Sequence, residues 1–346
     1  MAVTRVATTV GYWGAGPPPN QPELFRLADE LGFDSIWTAE AYGSDVLTPL
    51  AWYGAATSRV RLGTGIAQLS ARPPTTLAMA AMTLDHLSGG RVILGVGASN
   101  PQVVEGWYGQ PYPRPLERTR EYIDILRAVM ARQGPVTYQG KHYALPHPGG
   151  TGLGKPLKST LHPVRAEIPI FLAAEGPKNV ALAGEVADGW LPMFFSPKAN
   201  DFYADALAQG FAVPGARHDP SSFEVTGGPL AVVVDDDVER AADHLRPVLA
   251  LYIGGMGAKS LNFHHTVFVR LGYEAAAAKI QDRYLAGDKK GAAAAVPTAL
   301  VEDVALVGPM AKIRAEIPQW KETVLTTMML TADPRLLPVL AEYVLG

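Results

Sequence analysis

Short runs of β-branched and apolar residues alternate along the chain with longer stretches in which apolar positions recur every three or four residues. That alternation marks strand–helix units wrapped around a parallel sheet. Residues 5–10 predict a first strand. Residues 22–31 predict a helix with Leu24, Leu27, Ala28 and Leu31 on one face and Gly32 just past its end. Strands are predicted at 33–38, 60–66 and 91–96, with a helix at 74–87 and a long one at 115–132. Residues 136–145, two alternating arms about Gly140, predict a small hairpin, and 146–167, rich in Gly, Pro and Lys, predict a flap. Further strands fall at 169–174, 190–194, 223–234 and 323–330, with helices at 180–187, 199–208 and 334–344.

Eight strand–helix units predict a TIM (β/α)8 barrel, read as one domain over residues 1–346 with the hairpin and flap at 136–167. An Ala-rich, mostly helical insertion is expected at 236–322, between the seventh and eighth strands. A doubly wound sheet competes less well, because Gly95-Val96-Gly97 lacks the third glycine of a dinucleotide fingerprint.

Composition narrows the chemistry. Charged residues make up 18% and the net charge is -3, which gives no reason to expect a nucleic-acid or anionic-membrane partner. The chain has no cysteine, so thiolate nucleophiles and disulfides are excluded and a reducing compartment is suited. Its first ten residues read as a strand and not as a signal peptide, and no run of about 20 apolar residues is present. A cytoplasmic protein is expected. The eight histidines show no metal-ligand spacing, and His264-His265 form an adjacent pair whose side chains diverge on regular structure, so no metal is expected. No Gly-x-Ser-x-Gly elbow is present either.

Barrel enzymes carry their chemistry on the loops that follow the strands. Here those loops hold Tyr12 and Trp13, then Glu40 and Tyr42, then Gly65, Ile66 and Ala67, then Ser99 and Asn100. Aromatics, an acid and small polar residues suit a flat aromatic ligand, although turns need Gly, Ser and Asn in any case. The fifth strand ends more distinctly, in Ala173-Ala174-Glu175-Gly176-Pro177-Lys178-Asn179-Val180. Proline suits a first helical turn, and the free amides there, backed by the helix dipole and Lys178, form a phosphate cradle. Ser196 and Lys198, after the sixth strand, are expected to add a hydroxyl and a second cation. Gly149 to Lys155 imitates a phosphate-binding P-loop, but Pro156 follows the lysine and no strand leads in. That stretch reads as the flap, with Lys155, Lys158, His162 and Arg165 expected near a substrate.

Six stretches in order, Leu31 to Glu40, Arg61 to Ile66, Leu84 to Arg91, Leu94 to Gly97, Ala173 to Lys178 and Ala187 to Trp190, carry a resemblance along nearly the whole chain. The chain resembles the luciferase-like monooxygenase superfamily, and within it the actinobacterial oxidoreductases that use the deazaflavin coenzyme F420. The resemblance implies a cis peptide at Gly65-Ile66 behind the coenzyme ring and the coenzyme phosphate on the amides from Gly176 to Val180. It also implies a homodimer and a small-molecule substrate. Ala67, Ser99, Asn100, Ala174 and Glu175 join the expected coenzyme site; Tyr12, Trp13, Tyr42, Trp107 and Tyr108 are expected to wall the substrate pocket.

One departure matters. Relatives that oxidise alcohols or sugar phosphates have an Asp-His pair after the second strand, where this chain reads Glu40-Ala41. An acid that some relatives place after the fourth strand corresponds to Asn100, with Glu105 nearby. The resemblance then favours hydride transfer to an activated acceptor, with Glu40 as the candidate proton donor. A purely structural Glu40, capping the following turn, weighs equally. An FMN-dependent monooxygenase and a non-catalytic coenzyme carrier are the competing readings.

Overall fold

The computed structural model describes residues 3–346. Its barrel strands are Arg5–Gly11 (β1), Ser35–Thr38 (β2), Arg61–Thr64 (β3), Val92–Gly97 (β4), Ile170–Ala173 (β5), Gly189–Leu191 (β6), Glu224–Gly227 (β7) and Thr327–Leu330 (β8). Every neighbouring pair is parallel, β1 lies between β2 and β8, and the β3–β4 pairing closes the ring. β1 and β5 therefore face each other across the barrel, as do β3 and β7. Among the described residues, no helix is long and apolar enough to cross a membrane.

The barrel interior is filled, as small barrels require. Ala7, Trp37, Ile93, Phe171 and Leu191 form an inner cluster with Ile66, Ala173 and Met329 against it. The Trp37 and Phe171 rings lie 5.8 Å apart. Gly95 lets β3 and β4 approach, since a Cβ there would fall on the Thr64 carbonyl oxygen. At the N-terminal end of the strands, Arg61 spans the barrel floor from β3 to β7, its two terminal nitrogens 3.1 and 2.7 Å from the two Glu224 oxygens. Arg61 also binds Asp34 at 2.6 Å, and Arg5 joins Glu224 at 2.8 Å.

The expected seventh strand splits. Gly228 packs so closely on Met329 that a side chain there would strike its backbone, and the chain leaves the barrel after β7. Val232–Val234 then pairs in parallel with Leu306–Gly308, outside the barrel. Between these short strands the helices bury their own core, which includes Leu249, Ile253, Phe268, Ile280, Leu300 and Val301. The helix Met310–Lys321 lies within the span expected as insertion, yet its Ile313, Ile317 and Trp320 bury in the barrel core.

The flap differs more. Arg165 pairs with Asp85 at 2.8 Å, and His86 Nε2 lies 2.6 Å from the His162 carbonyl. Asp85 ends the helix that leads into β4, so this stretch runs beneath the barrel and not over its mouth. It has to, because it delivers the chain to the start of β5. The expectation of Lys155, Lys158, His162 and Arg165 near a substrate fails for that reason. Lys158 reaches the Gln133 carbonyl, at 3.4 Å. The hairpin forms as Tyr138–Gln139 against Ala144–Leu145, its turn amides at 141–143 held by the Glu121 carboxylate.

Candidate active site at the barrel mouth

The C-terminal ends of the strands gather the residues expected to matter, but give them unequal tasks. Glu40 is nearly sealed from solvent and takes four donors. The Arg72 guanidinium approaches both oxygens, at 2.8 and 2.9 Å, while the amides of Gln68 and Val46 donate at 2.8 and 3.0 Å. The same contact with Glu40 outweighs burial and pushes the Arg72 guanidinium up. Four donors aimed at two oxygens leave no lone pair for a substrate proton. The geometry gives Glu40 the structural role, fastening the β2 loop to the segment after β3. It offers no support for a proton donor there.

The Gly65–Ile66 peptide is cis, and the Gly65 amide donates to the Thr38 carbonyl at 2.6 Å. Ala67 follows in a two-residue strand paired with Val96, so Ile66 is presented over the inner cluster. Ser99 has φ +59°, and its carbonyl accepts from the Tyr112 hydroxyl at 2.9 Å. Asn100 caps the short helix Pro101–Gly106 by accepting from the Val103 amide at 3.0 Å.

After β5 the helix Pro177–Val186 begins with Gly176 in extended conformation. The amides of Asn179 and Val180 turn inward to the Gly176 carbonyl, at 3.0 and 2.9 Å. Those of Gly176 and Lys178 donate to no protein acceptor among the described residues, and the space at Gly176 is open. Lys178 is exposed and, among the described residues, in no ion pair, and the Asn179 side-chain oxygen is buried without a partner. Ala174 is buried, its carbonyl taking the Trp190 indole N–H at 2.9 Å. This turn is an open anion cradle at a helix N-terminus.

The expected second cation does not reach it. Lys198 pairs with Asp303 of the insertion at 2.6 Å, and Asp303 also accepts from the Tyr273 hydroxyl at 2.7 Å. The Ser196 hydroxyl is wholly buried and accepts from the Lys198 amide at 3.3 Å, capping a single turn. Lys198 serves the junction with the insertion and Ser196 caps the turn that carries it, so their expected part in an anion site is corrected accordingly.

The aromatic wall is assembled only in part. The Tyr12 hydroxyl meets that of Tyr252 at 3.2 Å, and the Trp13 amide donates to Ser44 at 3.2 Å while its indole nitrogen is buried without a partner. Tyr42 is 55% exposed at the rim, and the Tyr108 hydroxyl reaches the Ala41 carbonyl at 3.4 Å. Trp107 is 63% exposed and makes no ring-to-ring contact among the described residues.

Sequence reasoning missed the residues the insertion brings. His264 Nδ1 lies 2.8 Å from a Glu175 oxygen. Tyr252, on the wide π-type turn Leu251–Gly255, packs edge-on against the His264 ring at 4.9 Å. Arg270 lies 4.1 Å over the Phe202 ring and reaches the Glu175 carbonyl at 3.5 Å. Arg72 was missed as well; its position four residues after Gln68, in the loop beyond β3, was the available signal.

This geometry meets the known proteins at one point. The profile of the luciferase-like monooxygenases matches residues 1–327. The chain belongs to that family. A Mycobacterium tuberculosis relative, which carries the provisional name coenzyme F420-dependent oxidoreductase, is 53% identical over 95% of both chains. A 5,10-methylenetetrahydromethanopterin reductase of Archaeoglobus fulgidus is 30% identical over 69% of this chain and 68% of its own. Among solved structures, an F420-dependent secondary alcohol dehydrogenase superposes with a TM-score of 0.77 at 18% identity, covering 99% of this chain and 98% of that one, a likeness of fold.

Proposed function

We propose that this luciferase-like protein is a coenzyme F420-dependent oxidoreductase, transferring a hydride between the deazaflavin and a small organic substrate and working as a reductase of activated acceptors. The observation that carries the reading is the open anion cradle after β5, in a chain 53% identical to its F420-associated relative. Free amides at Gly176 and Lys178 and the exposed Lys178 ammonium fit a phosphorylated ligand. Ile66 fits the back of a flat ring, since it stands over the inner cluster with apolar neighbours beneath.

When bound, coenzyme F420 supplies the hydride carrier. The chain supplies placement. The turn from Gly176 to Val180 would hold the phosphate through its free Gly176 and Lys178 amides, Gly65, Ile66 and Ala67 would back the ring, and Ser99 and Asn100 would flank it. Tyr12, Trp13 and Tyr42 wall the remaining space and exclude water from it, while Glu40 holds the floor of that space in register through Gln68 and Arg72. Tyr108 and Trp107 form its outer rim. The working unit is a homodimer in the cytoplasm.

Fluorescence titration of the purified protein with coenzyme F420 and, separately, with FMN tests the reading. Micromolar binding of coenzyme F420 and no binding of FMN is expected. The reverse preference makes the protein a flavin monooxygenase. Binding of reduced coenzyme F420 with no oxidation by enones, imines or nitro compounds makes it a carrier.

A further inference from the structure

We infer that His264, oriented by Glu175, is the acid–base residue of this active site, so that the histidine missing after β2 is replaced by one delivered from the insertion. The inference rests on the reductase reading above. Four observations carry it.

The first is topological. Tyr12 follows β1 and Glu175 follows β5, and these strands face each other across the barrel. Tyr12 touches Tyr252, Tyr252 packs on His264, and His264 binds Glu175. The insertion thus lays a bridge over the mouth, and a ligand bound among the strand ends lies beneath it. The second is the pairing. A carboxylate can only accept, so Nδ1 carries the proton it shares with Glu175, which leaves Nε2 as the exchanging nitrogen. Among the described residues nothing hydrogen-bonds Nε2, and this nitrogen is not sealed from solvent. A carboxylate behind an imidazole is the arrangement that fixes tautomer and stabilises an imidazolium during proton transfer.

The third is rigidity. Phe194 and Tyr252 meet the His264 ring edge-on at 5.6 and 4.9 Å. The Asn262 side chain donates to the Tyr252 and Ile253 carbonyls at 3.0 Å and accepts from the His265 amide at 3.0 Å, tying the π-type turn to the helix that starts at Phe263. The fourth is contrast. Glu40 has every oxygen lone pair engaged by a permanent cation and two amides, whereas Glu175 spends its carboxylate on a group that can lose its proton.

The step balances. As a hydride reaches the electrophilic carbon of an acceptor, the π pair of that C=X bond moves onto X, and X takes the Nε2 proton of the His264 imidazolium. His264 is left neutral with Nδ1–H still on Glu175, and water returns the Nε2 proton. Acceptor reduction then requires a proton on Nε2 of His264, so the rate falls as pH rises. Glu175 and Tyr252 face the ring directly. Tyr12 and Tyr42 stand behind Tyr252, Arg270 lies at the Glu175 backbone, and neighbouring His265 is turned inward with its pKa lowered by burial.

The test combines three measurements on the full chain. Nitrogen-15 NMR of the unliganded protein should show neutral His264 as the Nδ1–H tautomer, and a dominant Nε2–H tautomer overturns the inference. Oxidation of reduced coenzyme F420 by cyclohex-2-enone, a neutral imine and a nitroalkene supplies the kinetic probe. His264→Gln should lower kcat about 100-fold and flatten the alkaline limb of the pH profile, with coenzyme affinity held within about threefold. Added imidazole should restore turnover in His264→Gly, and the control His265→Gln should keep the wild-type profile. An unchanged limb in His264→Gln overturns the inference, whereas wild-type protein that binds reduced coenzyme and oxidises it with none of the probes overturns the reductase reading. Failure of the wild type to bind coenzyme F420 at all overturns instead the functional reading beneath it.

Discussion

The barrel is bridged at both ends, by different chemistry. On the floor, Arg61 reaches from β3 to Glu224 on β7 as a two-pronged ion pair, with Asp34 and Arg5 completing a cluster of permanent charges. Over the mouth, the span from β1 to β5 runs through two tyrosine hydroxyls, an imidazole and a carboxylate, and its middle belongs to the insertion. Groups on the floor satisfy one another and have nothing left to give. Those at the mouth are neutral hydroxyls and a single imidazole–carboxylate pair, and they leave one imidazole nitrogen open. The difference separates a part of the molecule that holds shape from a part that does chemistry, in agreement with the general division of labour in TIM barrels.

Mutations should keep these two roles apart. The largest effect is expected from Arg61→Ala, which leaves Glu224 and Asp34 to share the more exposed Arg5 alone. It should cost about 3 kcal/mol in urea unfolding while the folded fraction retains its kcat. A loss of turnover without a loss of stability would erase the distinction. Arg72→Ala comes next, at about 2–3 kcal/mol, because it leaves the buried Glu40 with only its two amides. Unlike the His264 variants it should leave the shape of the pH profile alone, since it removes a fastener and no titrating group.

A third comparison uses acid. Burial alone would raise the Glu224 carboxyl, but Arg61 and then Arg5 outweigh it and hold the group below its ordinary value of 4.5. The unfolded chain then binds the extra proton, so this contribution is complete above the unfolded pKa and disappears as pH falls through and below the carboxylate range. Wild-type melting temperature should therefore drop more steeply below about pH 4.5 than that of Glu224→Gln, which is less stable at neutral pH. Parallel slopes would remove Glu224 from the account. The smallest effect concerns the cradle: Lys178→Ala should weaken coenzyme binding about fivefold in low salt, and Lys198→Ala less than twofold. Equal losses would mean that the Lys198–Asp303 pair opens when coenzyme binds.

The sequence was most readable where structure is local. Strands announced themselves by β-branched runs, and the turn from Gly176 to Lys178 by the rules of a helix start, which operate within four residues. The seventh strand was read too long because Val232–Val234 has the same strand-like composition as β7, and only pairing with Leu306–Gly308 tells them apart. Glu40 looked available because its loop neighbours say nothing of Arg72. His264 was passed over for the same reason at a greater distance: its partner lies 89 positions earlier, and a histidine beside another histidine carries no local mark of what it will face. Residue resemblance supplied the cis peptide before the structure did, a feature no periodicity could indicate.

The paired strands at the foot of the insertion have a consequence for engineering. Val232 stands beside Leu306 and Val234 beside Gly308, so the polypeptide departs and returns within one strand spacing, about 4.8 Å. Whatever lies between is a cassette with its own core and a shared hinge line, attached where exchange would disturb the barrel least. Transplanting the segment from a relative, cut at these two strands, would replace the roof of the mouth and its histidine in one step while leaving the cradle and the ring-backing residues in the recipient.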